Sequence, residues 1–124
     1  MTNMDKWLDV LRNGGYKQCQ DLLRKNDRFC CLGVACDLFI KETWLARWEE
    51  RDWRGCFAFC SDRGDCEGEL PSPVREWLLN GVEDADWDKV LGGDGLAIKL
   101  NDEGFASFPE IAEAIDQWRK DRNP

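Results

Sequence analysis

The stretch Phe29-Cys30-Cys31-Leu32-Gly33-Val34-Ala35-Cys36-Asp37-Leu38-Phe39-Ile40 decides how this chain folds. At helical spacing it is apolar on every side. Phe29, Leu32, Cys36 and Ile40 form one stripe, Cys30, Val34 and Leu38 a second, and Cys31, Ala35 and Phe39 a third. A helix that is apolar all round must be covered on all sides. Residues 28–41 are therefore expected to form a buried central helix. The run is too short to cross a bilayer. Its small residues, Cys30, Cys31, Gly33, Ala35 and Cys36, let neighbouring elements approach closely.

Outward from this run, the flanking segments read as shorter helices. Thr2-x-x-Asp5 is an N-cap with an acidic first turn, followed by Met4, Trp7, Leu8 and Leu11 on one face. Gly14-Gly15 stops that helix. Tyr16 to Cys19 is a connector, Leu22 and Leu23 sit in a helical turn, and Asp27 is a candidate cap for the central helix. Ser72-Pro73 opens another helix, with Val74, Trp77 and Leu78 inward, and Asn80-Gly81 ends it. Ser107-x-x-Glu110 is a capping box for a last helix that faces inward through Ile111, Ala112, Ile115 and Trp118. Cys56-Phe-Ala-Phe59 is short enough to be a strand, residues 83–95 read mostly as loop, and residues 96–100 as a strand. The expectation is α+β, mainly helical. It is a small single-domain bundle around the central helix 28–41 with at most a small sheet, spanning residues 1–124.

Composition narrows the function. The chain has 124 residues, seven cysteines, no histidine and a net charge of -8. An odd number of cysteines cannot all pair within one chain. Residues 2–12 are amphipathic rather than basic then apolar, so an export signal is not expected and the thiols are read as reduced, in a cytoplasmic protein. No cofactor, metal or membrane association is expected. Zinc is the competing use of the cysteines, with Cys56, Cys60 and Cys66 the polar-flanked group, but the spacing lacks a knuckle. Without histidine the commonest general base is missing, and Cys30 and Cys31, although near a helix start and Arg28, are expected to be buried and inert. The expectation is a protein that is not an enzyme.

Charge is segregated. Residues 1–60 carry ten basic and nine acidic side chains, and residues 61–124 carry seven and sixteen. The acidic half argues against direct nucleic-acid binding. It supplies an alternative acidic partner-binding group, Glu83, Asp84, Asp86 and Asp88, suited to a basic protein surface. Asp84, Asp86 and Asp88 alternate as in a calcium loop, but the closing glutamate is missing.

Residues 43–69 form a Trp/Arg-rich, cysteine-containing insertion. Thr43 precedes a run read as a helical arm. Arg47, Arg51 and Arg54 share one face at i, i+4 and i+7, with Trp44 and Trp48 beside them at i, i+4. Guanidinium groups suit phosphate and indole rings suit base stacking. Trp44, Arg47, Trp48, Arg51 and Arg54 are the candidate ligand-binding residues. Glu49, Glu50 and Asp52 would offset the arginines. Seven tryptophans exceed the needs of one small core, so a homo-oligomer through a Trp-lined surface is expected.

Three blocks carry a resemblance: Trp7-Leu8-x-x-Leu11-Arg12 with Tyr16 and Gln18, the run from Phe29 to Asp37, and Leu100-Asn-Asp-x-Gly104 with Ser107-Phe108-x-x-Ile111-Ala112. Leu70-Pro71-x-x-Val74-x-x-Trp77 is a weaker fourth. Together they resemble a group of short proteins encoded by bacteriophages and prophages. The resemblance implies a phage origin and an accessory role. With the Trp/Arg arm, it leads to the expectation of a counter-defence protein that sequesters a nucleotide-type immune signal of the bacterial host. The alternative is an acidic, DNA-mimic inhibitor of a host defence complex.

Overall fold

A computed structural model describes residues 1–51, 55–82 and 86–122. The chain is α+β. Helix α1 (Asn3–Asn13) is followed by short strands β1 (Lys17–Gln18), β2 (Arg24–Lys25) and β3 (Arg28–Phe29), then by helix α2 (Cys31–Thr43). Strands β4 (Ala46–Glu50), β5 (Cys56–Ser61) and β6 (Gly64–Cys66) come next, followed by α3 (Ser72–Leu79), α4 (Asp88–Leu91) and α5 (Leu96–Ile98). Helix α5 runs into a π-helical turn at Lys99–Glu103, and α6 (Phe108–Arg122) closes the described chain. The sheet order is β1-β3-β2-β5-β4, with β6 pairing β5 beside β2.

The caps follow local rules. The Thr2 side chain accepts from Asp5 N, and the Asp5 carboxylate accepts from Thr2 N, so two orphan donors of α1 are satisfied. Ser107 and Glu110 do the same for α6. Met4, Trp7, Leu8 and Leu11 are buried under α1, and Ile111, Ala112 and Ile115 under α6.

Helix α2 is buried from Cys31 to Asp37 and at Phe39. Its cover differs from the expected bundle. Helices α1, α3 and α5 close part of it, and β3 and β4 of the sheet close the rest. The apolar pattern requires cover without specifying its kind, and a sheet face covers as well as helices do. The helix starts later than expected because β3 comes first. Its N-cap is Cys30, whose sulfur accepts from Gly33 N at 3.3 Å, rather than Asp27. Leu22 and Leu23 lead directly into β2 instead of forming a helical turn.

Residues 44–51 are not a helical arm. Trp44 caps α2 in the left-handed region, φ 59°, and this turn ends the helix. The chain then runs extended as β4, antiparallel to β5, with Trp48 opposite Phe59 and Arg47 opposite Cys60. The residues fit either period. Burial of Trp48 against Phe29 and Phe59 selects the strand, with ring centroids 5.9 and 6.1 Å apart. Residues 96–100 are helical rather than extended, since Ala97 and Asn101, four apart, are the fully buried pair. Residues 88–91, read as loop, form α4, which buries Val90 and Leu91 beside Trp87.

The sequence blocks that carry the resemblance meet in space. Trp7 Nε1 donates to the carbonyl of Cys31 at 2.9 Å. Asn101 Oδ1 accepts from Cys31 N and Gln18 Nε2, and its amide donates to the carbonyl of Cys19. These blocks are therefore occupied in holding the fold together.

Candidate anion site on the β2–β3 hairpin

Cross-strand partners share a face. The register therefore puts Gln18, Phe29, Arg24, Phe57 and Glu50 in one row on the face toward α2. Lys17, Arg28, Lys25 and Cys56 form the next row, on the opposite face.

Arg24 is the unusual member. Its guanidinium carbon lies 3.9 Å from the ring centre of Phe57, 5.3 Å from Phe29 and 5.7 Å from Trp48. Its Nε donates to the carbonyl of Asn26 at 2.7 Å. Among the described residues no carboxylate pairs with Arg24, nor with the exposed Lys25 and Arg28. Most other cations are matched: Arg63 is bidentate to Glu76, Arg75 pairs with Asp88, and Lys17 pairs with Asp27. The hairpin thus concentrates positive charge in an acidic protein, and the rings fix the orientation of one fork.

A second polar group borders these rings. Asp37 accepts from Tyr16 Oη at 2.5 Å and Trp48 Nε1 at 3.0 Å, and Lys41 Nζ lies 2.9 Å from it. Burial pushes the Asp37 carboxyl up, but the hydrogen bonds from Tyr16, Lys41 and Trp48 outweigh it and leave the group below its ordinary value. Burial first, then the bond to Asp37, raises the Tyr16 phenol. Tyr16 stacks edge-on to Phe29 at 5.2 Å, so this group fixes the ring on which Arg24 rests. Beside it, Gly14, Gly15, Tyr16, Lys17, Asp27 and Lys41 line an open depression of about 330 Å3.

Because the Asp37 pKa is lowered by folding, its stabilisation is full above the unfolded value, about 3.9, and is lost as pH falls through the folded value. Asp37→Asn is expected to cost about 1–3 kcal/mol near neutrality. The gap in urea midpoint between wild type and variant should narrow from pH 7 to pH 3. A gap of constant size would contradict this assignment.

The expected ligand group is taken apart. Trp44 is 83% exposed at the end of α2, whereas Trp48 turns inward to Asp37. Arg47 and Arg51 share the outer face of β4, but Arg47 pairs with Glu49, and Arg51 with Glu49, Asp65 and Glu67. Arg54 lies outside the described residues. In the alternative acidic group, Glu83 and Asp84 also lie outside them, Asp86 pairs with Arg122, and Asp88 pairs with Arg75. Among the described residues no group of three His, Cys, Asp or Glu is placed to hold a metal. Cys56 and Cys60 share one face of β5, while Cys66, opposite Phe59, is on the other. All seven cysteines are free thiols. Burial pushes Cys30 up to about 12 and raises Cys31 and Cys36 well above the ordinary range, so none of the three is an activated nucleophile. No described helix is long and apolar enough to cross a membrane.

A domain-of-unknown-function profile, DUF8296, matches residues 2–119. The chain belongs to the DUF8296 family. No curated protein and no solved structure matches it. In this DUF8296 chain, sequence reasoning missed Arg24, because its aromatic partners come from β3, β4 and β5. The available signal was Arg24-Lys25-x-x-Arg28, three cations near only one carboxylate, Asp27.

Proposed function

We propose that this protein is a non-enzymatic, phage-encoded binding protein that holds a small phosphorylated ligand of nucleotide type and withdraws it as a host immune signal. The observation that carries the reading is Arg24, a guanidinium fixed on Phe57, Phe29 and Trp48 with no carboxylate partner among the described residues. A preoriented fork makes bidentate contact with phosphate at low entropic cost, and Lys25 and Arg28, on the opposite face of the same hairpin, add only longer-range positive potential. The site replaces the Trp44–Arg51 group, whose arginines are neutralised by neighbouring carboxylates. The raised, buried thiols fit a binding role better than a catalytic one.

The test is native mass spectrometry of the chain purified from bacterial cells, followed by denaturation and analysis of released small molecules. A phosphorylated compound should co-purify, be lost from Arg24→Gln and be retained by Arg47→Gln. Retention by Arg24→Gln, or a wild-type protein that carries nothing and binds no member of a nucleotide panel, overturns the reading.

A further inference from the structure

Strand β4 is the last strand of the sheet, and among the described residues no strand pairs with its outer edge. Unpaired edges are templates for another strand. Which groups this edge offers follows from its inner pairing. Arg51 N donates to Cys56 O at 2.8 Å, and hydrogen-bonded and non-hydrogen-bonded pairs alternate along an antiparallel ladder. Arg47, Glu49 and Arg51 therefore turn their backbone groups toward β5. Ala46, Trp48 and Glu50 turn theirs outward.

We propose that two copies of this chain pair through β4, antiparallel, about a two-fold axis at Trp48. The outward amides and carbonyls of Ala46, Trp48 and Glu50 then meet Glu50, Trp48 and Ala46 of the second copy. The side chains agree with this register. Arg47 stands opposite Glu49 of the second copy, and Glu49 opposite its Arg47, in the non-hydrogen-bonded positions where side chains come closest. Axes at Arg47 or Glu49 set like charges face to face, and an axis at Glu50 sets that glutamate against itself. The sequence Arg47-Trp48-Glu49 is thus self-complementary in one register, as an isologous interface requires. Trp44 and Leu45, 83% and 69% exposed, flank the same edge, and Leu45 falls opposite Arg51 of the second copy. The pairing joins two sheets into one and leaves the Arg24 hairpin, two strands away, uncovered. It does not depend on the anion-site reading.

The experiment is light scattering after size-exclusion chromatography of the full chain across a concentration series, for wild type, Arg47→Glu and Glu49→Arg. Arg47 and Glu49 are solvent-facing, with side chains 72% and 44% exposed, so neither change buries a charge, and circular dichroism of each variant checks that it is folded. Wild type should dimerise. Each variant alone faces like charges and should dimerise at least tenfold more weakly. An equimolar mixture restores both opposite-charge pairs and should recover a heterodimer. Backbone hydrogen exchange at Ala46, Trp48 and Glu50 should slow in the dimer. A wild-type monomer at all concentrations overturns the proposal, as does a dimer indifferent to both charge reversals.

Discussion

Gly33→Ala is expected to abolish stable folding or to lower Tm by more than about 15 °C. Alanine is the better helix former by ~1 kcal/mol, so on propensity alone the change would stabilise α2. Space decides against it. A Cβ at Gly33 would lie 1.8 Å from the Leu23 carbonyl oxygen and 2.7 Å from its carbon. The obstacle is backbone, and it is held on several sides. Leu23 O accepts from Cys30 N, Leu23 N donates to Glu67 O, and the Leu23 side chain is fully buried. Relief would require α2 to move off the Leu23 backbone just before β2, opening a close contact of the central helix. Overpacking commonly costs 1–3 kcal/mol where side chains can yield, and here no side chain is available to yield. Gly93→Ala is the control, since a Cβ there meets nothing within 4 Å. Thermal unfolding of both variants checks the argument. A Gly33→Ala protein melting within a few degrees of wild type would contradict it.

That glycine also shows what the sequence made legible. Small residues within an apolar run signal close approach, and the close approach is present, with the Leu23 carbonyl as the partner. Caps at Thr2 and Ser107 were legible because a cap bonds residues three apart. The inward faces of α1 and α6 were legible because periodicity reports burial directly. The sheet was not. Strands β1, β2 and β3 are two residues each, too short to show alternation, and only β2, through β5, pairs with a segment far along the chain. Strand β4 was misread because Trp44, Trp48, Arg47 and Arg51 satisfy a helical period as well as a strand period. Only the rings of Phe29 and Phe59, contributed from elsewhere, favour the second. The grouping of the candidate ligand residues rested on the same helical period. Placing the arginines on a helix brought Arg47, Arg51 and the indoles together, whereas the strand sends Trp48 to one face and the arginines to the other, beside Glu49, Asp65 and Glu67. Arg24 was illegible because no local pattern announces rings from three separate strands.

Asn101→Leu is expected to cost about 3–5 kcal/mol, a fall in Tm on the order of 10–20 °C for a domain of this size. Asn101 is fully buried and makes four side-chain bonds. Oδ1 accepts from Cys31 N at 3.2 Å and Gln18 Nε2 at 2.9 Å. The Nδ2 amide donates to Cys19 O at 2.9 Å and Asp102 Oδ1 at 2.7 Å. Cys31 opens α2, so its N–H has no partner within the helix, and Asn101 supplies one from 70 residues away. Leucine keeps the branching and the number of heavy atoms and removes every bond. Cys31 N–H is left buried and unpaired, and the Cys19 carbonyl loses its donor, at about 1–3 kcal/mol each. Asn101→Asp separates the two halves of this account. It keeps the acceptor for Cys31 and Gln18 but turns an anion toward the Cys19 carbonyl and Asp102, so it too should destabilise near neutrality. As pH falls and the introduced carboxyl protonates, it regains a donor, and its deficit relative to wild type should shrink. The Asn101→Leu deficit has no titrating group behind it and should stay nearly constant. Urea unfolding of the three proteins at pH 7 and pH 4.5 reads this directly. Parallel behaviour of Leu and Asp would contradict the account, because it would mean that regaining a donor toward Cys19 and Asp102 restores nothing. The bonds join the Leu100-Asn101-Asp102 block to the Cys30-Cys31 block and to Gln18. Segments far apart in sequence are thereby tied into one network whose members must be satisfied together, which is a structural demand rather than a sign of shared chemistry.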